Sequence, residues 1–236
     1  MSKPTERRSV RGLVEVRAAD GGMKIGGYAA KHNTRSQNLG GFVETIAPTF
    51  FRKSEGDGWP GVMARYNHDD NWLLGTTDGG TLRLSVDDTG LQYEVDLPSF
   101  RSDVYELVQR GDVQRSSFAF ITIEDEWSLD ENGFPLRTLV TGRTVDVAPV
   151  NSPAYLDTST GLRTLAEARS IPVEDVARMA AEGNLADLLS KAPTVVDLGA
   201  VRSEPTPDPA PVEQPSSTPS GRVQLLLREL ELKNKQ

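Results

Sequence analysis

Apolar and polar residues alternate along two neighbouring segments of the chain. Leu82, Leu84 and Val86 alternate with polar residues, and the same alternation returns over residues 91–97. A period of two is typical of β-strands with one buried face. The residues between the two segments, Asp-Asp-Thr-Gly at 87–90, have the composition of a tight turn. We therefore predict a β-hairpin over residues 82–97.

Two other segments are apolar on both faces and predict strands that are buried in the centre of a sheet. They cover residues 117–123 and 144–150, and an exposed polar hairpin turn is predicted between them at 130–133. The second segment carries one carboxylate, Asp146, in an otherwise apolar run. A carboxylate in such a strand must be paired, exposed on one face or functional.

Helical patterns are fewer. One helix is predicted to begin at Asp103, which caps it together with Glu106, and to stop at Gly111. A second helical region covers residues 171–191 and is interrupted at Gly183. Many short strands with a few helices predict a mainly β, α+β fold, which is either a small β-barrel or a sandwich with peripheral helices.

The two ends of the chain lack the pattern of a packed core. The first residues are polar and basic, and residues 203–220 are rich in proline with almost no large apolar side chain. Four apolar residues at helical spacing over 223–230 predict an amphipathic helix, which either docks on a partner or a second copy of the chain, or frays in solution. The predicted segments are a disordered N-terminus, a folded domain, a helical extension, a linker and a terminal amphipathic helix, at 1–11, 12–165, 166–202, 203–220 and 221–236.

Composition excludes several classes of protein. The formal net charge of −8 argues against nucleic-acid binding. The absence of cysteine excludes disulfides, a thiol nucleophile and thiolate metal ligands. The N-terminal residues do not form a secretory signal, and no apolar stretch is long enough to cross a bilayer. We therefore expect no nucleic-acid partner, no membrane partner and no cofactor.

Few residues of this chain could act as a base near neutral pH, because it contains only two histidines, His32 and His68. A serine hydrolase needs a hydroxyl, a base and a third group that orients the base. Ser116 and Ser117 stand at the entry of the first buried strand, and Asp146 lies in the second. His32 is expected at the surface, without a catalytic role. A metal hydrolase is disfavoured because no dense cluster of ligands is visible.

Five segments in one order resemble the prohead proteases of tailed bacteriophages, the HK97-type capsid maturation serine proteases. His68 lies in a block that resembles the family's H-D…L-G. A later block resembles G-x-x-x-x-x-S-x-G-F, with Ala119 in place of the glycine, and selects Ser117 over Ser116 as the nucleophile. The last resembles E-V-S-x-V-x-x-P-A-Y, with Asp146 in place of glutamate. The segments cover 27–50, 67–75, 90–95, 111–120 and 145–155.

The resemblance implies an assemblin-like fold, that of the herpesvirus proteases, in which a compact β-barrel is ringed by helices. It also implies a serine endopeptidase that is packaged inside the prohead, in the cytoplasm of the infected bacterial host. Such enzymes cleave scaffold protein or the N-terminal scaffolding segment of the major capsid protein, and often themselves. The resemblance makes Ser117 the nucleophile, His68 the base and Asp146 the group that orients the base.

Alternatives stay open beside this hypothesis. The chain could be an inactive scaffold or capsid-assembly protein that uses the protease fold and its C-terminal helix for docking, although the presence of all three residues favours an enzyme. Residues from about 165 onward could be scaffold-like cargo that the protease removes. Self-association is open, since assemblins act as dimers. Asp69 competes with Asp146 as the orienting group, and Arg137 and Arg143 are candidates for the oxyanion hole.

Overall fold

Strands outnumber helices in the computed structural model, which describes residues 4–10, 14–17, 22–152 and 159–190. The predicted linker at 203–220 and the predicted helix at 221–236 lie outside these residues. The strands are β1 Glu6–Val10, β2 Val14–Val16, β3 Lys24–Lys31, β4 Val43–Ile46, β5 Met63–Arg65, β6 Leu73–Thr76, β7 Leu82–Val86, β8 Gly90–Asp96, β9 Arg115–Leu129 and β10 Pro135–Val150. The helices are α1 Arg52–Gly56, α2 Ser102–Gln109, α3 Ser159–Arg169, α4 Val173–Glu182 and α5 Leu185–Ser190, and 3₁₀ turns cover Tyr66–His68 and Ser99–Arg101.

Strand β10 is the centre of a six-stranded sheet. It pairs antiparallel with β9 on one edge, and on the other edge it pairs parallel with β4 and then with β5. The strand order is β1-β9-β10-β5-β6, with β4 beside β10. The predictions of buried strands at 117–123 and 144–150 are confirmed by β9 and β10, and the turn at 130–133 is mostly exposed.

A second sheet contains four strands in the order β2-β3-β8-β7. The predicted hairpin over 82–97 is confirmed by β7 and β8, and its turn is closed by the Asp87 carboxylate, which accepts the N–H groups of Thr89 and Gly90 at 2.8 and 3.0 Å. The mainly β, α+β class is confirmed. The closed β-barrel is not found among the described residues, whose two sheets both remain open. The alternation of apolar and polar residues indicates which face of a strand is buried. Closure of a barrel depends instead on whether the edge strands of the sheets pair, and the alternation does not indicate this.

The N-terminal strand differs from the prediction of disorder over residues 1–11. Residues 6–10 form β1 and pair antiparallel with β9. Glu6 is fully buried and accepts hydrogen bonds from Arg137 of β10 at 2.6 and 3.1 Å. The prediction is wrong here because the charged residues that suggested a solvated tail have charged partners inside the fold.

Four phenylalanines form the aromatic centre of the main core. Phe50 and Phe51 follow β4, and Phe118 and Phe120 lie on β9; all four are fully buried. Their rings contact one another at centroid distances of 4.8–6.4 Å. Since successive side chains of a strand point to opposite faces, this packing turns the side chain of Ser117 to the other face of β9.

Helix α2 matches its predicted position but not its predicted cap. It begins at Ser102, one residue earlier than predicted, and no side chain caps its N-terminus. Asp103 instead accepts the N–H of Val104 at 2.8 Å. Gly111 has a φ of +82°, a left-handed conformation that ends the helix as predicted.

Helices α3, α4 and α5 pack around Phe42 and form a smaller core with Leu162, Leu165, Val176 and Leu185. The interrupted helical region predicted at 171–191 is confirmed by α4 and α5, which are separated at Gly183. Helix α3 has no counterpart in the predicted elements. The boundary between the segments 12–165 and 166–202 stays a prediction. No helix of the described residues is long and apolar enough to cross a membrane.

Candidate active site

Three adjacent strands bring His68, Ser117 and Asp146 together. Ser117 lies on β9 and Asp146 on β10, and the two strands pair antiparallel with Ala119 opposite Asp146. On its other edge Asp146 pairs with Met63 of β5. His68 ends the 3₁₀ turn that directly follows β5. The order β9-β10-β5 therefore places a hydroxyl, a carboxylate and an imidazole at neighbouring positions.

The side chains of these three residues form a continuous hydrogen-bonded chain. His68 Nε2 lies 2.6 Å from Ser117 Oγ, and His68 Nδ1 lies 2.6 Å from Asp146 Oδ1. The serine and the aspartate are fully buried, and the histidine is 8% exposed. When a neutral imidazole donates Nδ1–H to the carboxylate, Nε2 is free to accept the proton of the hydroxyl. Such an arrangement can activate a serine oxygen for attack on a carbonyl.

The backbone at His68 has an unusual conformation. Asn67 and His68 have φ angles of 55° and 57°, in the left-handed region that non-glycine residues rarely adopt. Each such residue stores roughly 1–3 kcal/mol of strain, which the surrounding structure must offset. One stabilising contact is the N–H of Asn151, which donates to Asn67 Oδ1 at 3.1 Å. The strained turn reverses the chain after β5 and presents the imidazole to β9 and β10.

Arg65 is a further member of the site, and it lies outside the sequence motifs that select the other three residues. Its guanidinium donates to the second carboxylate oxygen of Asp146 and to Asp70. Burial by itself would raise the pKa of Asp146, but the hydrogen bond and charge of His68 and the charge of Arg65 outweigh it and hold the pKa below its usual value. Asp146 is therefore ionised at neutral pH. The available signal was an arginine in a short apolar strand, three residues before the histidine.

Two of the competing candidates have other partners. Ser116 is buried and its hydroxyl lies 3.1 Å from the hydroxyl of Tyr93, on the face of β9 opposite to Ser117. Asp69 is exposed, and one of its oxygens accepts the N–H of Asn71 at 2.8 Å. Neither residue takes part in the hydrogen-bonded chain.

The structure also shows where the other three candidate residues lie. His32 is buried rather than at the surface, because it follows β3 and packs beside Phe51, and burial lowers its pKa. Arg143 is exposed. Arg137 is fully buried and its donors are bonded to carboxylates, so it does not fit the oxyanion hole. The described residues contain no group of three or more metal-ligating side chains.

A backbone carbonyl also contacts the hydroxyl of the site. Ser117 Oγ lies 2.7 Å from the carbonyl oxygen of Arg8 on β1 and can donate to it instead of to His68. No sequence pattern indicates this contact, because it depends on the pairing of β1 with β9.

The chain is similar to known proteins in sequence and in structure. A family model described as caudovirus prohead serine protease matches residues 13–171, more than half of the chain, and this range includes His68, Ser117 and Asp146. A search of curated proteins gives no match. Among solved structures, the chain is similar to the bacteriophage T4 capsid assembly protease, gp21, with a TM-score of 0.43 and 9% identity, over 64% of this chain and 98% of that chain.

Proposed function

Because the chain belongs to the caudovirus prohead serine protease family, we propose that it is a Ser-His-Asp endopeptidase that matures phage proheads. The observation that carries this proposal is the hydrogen-bonded chain from Ser117 through His68 to Asp146. The substrates are scaffold protein or the N-terminal scaffolding segment of the major capsid protein, and the enzyme itself. The enzyme acts inside the prohead, in the cytoplasm of the infected bacterium.

The proposed mechanism assigns one role to each side chain. Ser117 Oγ attacks the scissile carbonyl while His68 Nε2 accepts its proton, and the resulting imidazolium is stabilised by the Asp146 carboxylate. His68 then protonates the leaving amine, and water hydrolyses the ester on Ser117. Ser117 and Asp146 keep their separation because they lie on paired strands, which supports a preorganised site.

Arg65 has a positioning role in this mechanism. Its contact with the second oxygen of Asp146 leaves the first oxygen directed at His68 Nδ1. The positive charge also favours the ionised carboxylate that an imidazolium requires. The ionised Asp146 carboxylate and the hydrogen bonds from Ser117 through His68 to Asp146 argue against an inactive scaffold protein. Such a protein would need neither feature.

Co-expression with the major capsid protein of the same phage tests the proposal. Wild type should shorten the capsid protein in intact-mass analysis, and Ser117→Ala should not. Ser116→Ala is the matched control, since its hydroxyl bonds to Tyr93 instead of His68, and it should process like wild type. Equal processing by wild type and Ser117→Ala would exclude Ser117 as the nucleophile. Absence of processing by wild type, together with no labelling of Ser117 by a fluorophosphonate, would favour the scaffold alternative.

A further inference from the structure

The strand β1 covers the strand that carries Ser117. The two strands pair antiparallel, with Ser9 opposite Ser117, Arg8 opposite Phe118 and Glu6 opposite Phe120. The carbonyl oxygen of Arg8 lies 2.7 Å from Ser117 Oγ. The hydroxyl thus contacts the Arg8–Ser9 peptide bond through its carbonyl oxygen, and attack on the carbon requires that the serine proton turn to His68 Nε2 instead.

A peptide from another molecule cannot take this position while β1 is present. Ser117 is fully buried, and among the described residues its hydroxyl forms hydrogen bonds only with His68 and the Arg8 carbonyl. Extended peptides commonly bind proteins by adding a strand to a sheet edge, where main-chain hydrogen bonds provide affinity and alternate side chains provide specificity. Strand β1 binds β9 in this manner, within the same chain.

Alternate side chains of β1 are held by charged groups of the fold. Arg8 donates two hydrogen bonds to Glu44, from Nε at 2.6 Å and from Nη2 at 2.9 Å. Glu6 accepts two hydrogen bonds from Arg137, at 2.6 and 3.1 Å. Arg7, between them, is exposed. Glu44 and Arg137 are themselves buried, so each is a site for a side chain of opposite charge.

We propose that β1 occupies the substrate position of the protease, that the Arg8–Ser9 bond is cleaved by Ser117 of the same chain, and that Glu44 and Arg137 select substrates with arginine at the cleaved carbonyl and glutamate two residues before it. This inference rests on the proposed function, and it adds the binding mode, the cleaved bond and the side chains that are read.

The reaction follows the proposed mechanism. The bond between Ser117 Oγ and the Arg8 carbonyl carbon forms, and the serine proton moves to His68 Nε2. The bond between Arg8 and Ser9 then breaks, and His68 donates the proton to the nitrogen of Ser9, which becomes a new N-terminus. Water hydrolyses the ester, releases residues 1–8 with a carboxylate on Arg8, and restores the hydroxyl. No oxidant, reductant or cofactor is needed.

Release of residues 1–8 would open the edge of β9 beside Ser117. Arg137 would keep its contacts with Glu44 and Asp125, at 2.9 and 2.6 Å, so the buried cation would not be left without partners. Another extended peptide with the same charges could then occupy the position of β1. Self-cleavage in this position would thus precede cleavage of other substrates.

Intact-mass analysis of the full-length purified chain over time, with sequencing of the new N-terminus, tests the inference. Wild type should lose residues 1–8 and begin at Ser9, and Ser117→Ala should remain whole. Arg8→Ala should slow this cleavage by about 100-fold, since loss of one partner of a buried, hydrogen-bonded charge pair weakens binding strongly. Arg8→Lys should restore part of the rate, because it keeps the charge but not the two-pronged contact with Glu44.

Arg7→Ala is the matched control, because the Arg7 side chain is exposed and should leave the rate unchanged. Equal rates for Arg8→Ala and wild type would overturn the inference, as would a new N-terminus other than Ser9. An N-terminus that stays whole while wild type processes the capsid protein, or while a fluorophosphonate labels Ser117, would also overturn it and leave the proposed function intact. Loss of both capsid processing and labelling would instead overturn the proposed function.

Discussion

Replacement of Arg137 by methionine should destabilise the protein far more than the loss of an ordinary surface arginine. The Arg137 side chain is fully buried, and it donates to Glu6, Glu44 and Asp125 at 2.6, 2.9 and 2.6 Å. Methionine keeps an unbranched apolar stem but removes the guanidinium. Glu6 would then lose its two bonds to Arg137 and Glu44 would lose one, while both side chains stay buried.

The size of the effect follows from the contacts that remain. Removal of one partner from a buried ion network destabilises a protein by about 3–5 kcal/mol. The lower end is expected here, because Arg8 still donates to Glu6 at 3.0 Å and to Glu44 at 2.6 and 2.9 Å. For a domain of 150–250 residues, each kcal/mol lowers the unfolding midpoint by about 2–4 °C, so about 3 kcal/mol predicts a decrease of about 6–12 °C.

Thermal and urea unfolding at pH 7 measure this effect, with Ser117→Ala as the background so that the chain stays whole. Arg83→Met is the matched control, since Arg83 also binds two carboxylates, Glu94 and Asp96, but on the exposed surface. Its loss should change the free energy of unfolding by no more than about 1 kcal/mol.

A rescue experiment separates the charge from the packing. Adding Glu6→Gln to Arg137→Met removes the buried carboxylate that loses two bonds to Arg137, while Glu44 keeps its charge and its pairing with Arg8, so part of the lost stability should return. If Arg137→Met were no more destabilising than Arg83→Met, or if Glu6→Gln restored nothing, the assignment of this energy to buried charge would be refuted.

Four further predictions concern the site and the core. Asp146→Asn should lower kcat by about 10⁴-fold in steady-state kinetics, because an amide no longer selects the reactive form of the imidazole. The lowered pKa of Asp146 means that its charge contributes stability above an unfolded pKa of about 3.9 and loses this contribution as the pH falls through the folded pKa, so Asp146→Asn should flatten the acid limb of urea titrations. Arg65→Lys should lower kcat about 10–100-fold with little change in KM, because a single ammonium cannot hold Asp146 and Asp70 in the fixed geometry that the two guanidinium nitrogens provide. Gly142→Ala should destabilise by about 1–3 kcal/mol in thermal unfolding, since its Cβ would clash with the buried ring of Phe50, and Phe50→Leu should relieve part of the loss.

Much of the sheet could be predicted because the signals were local. Period-two alternation identified β7 and β8, and two-sided apolar runs identified the first half of β9 and the C-terminal half of β10. Strand β1 could not be predicted in this way, because it is polar and its partner lies more than 100 residues further along the chain. Helix α3 was missed because its apolar face is short. It consists of Leu162, Leu165 and Ala166, which are buried only by packing in the smaller core.

In the candidate site, too, residues in local motifs could be predicted and a residue that depends on a distant partner could not. His68, Ser117 and Asp146 were selected from motif order, and the structure brings their side chains into contact. Their catalytic roles stay a proposal. Arg65 was missed because its partner, Asp146, follows 81 residues later. A lone arginine at the end of a short strand does not indicate which distant residue it contacts.

The charged side chains of β1 explain how a strand with buried contacts could be released after cleavage. An apolar strand would hold its place by burial alone, whatever its sequence, whereas β1 is held by Glu44 and Arg137, which read particular side chains. The strand brings one buried glutamate and one nearly buried arginine to this cluster, so its loss removes one charge of each sign and leaves the net charge of the cluster unchanged. Arg137→Met instead removes a cation alone. The cluster should therefore tolerate release of residues 1–8 far better than the loss of Arg137, as expected of a site that exchanges one charged strand for another.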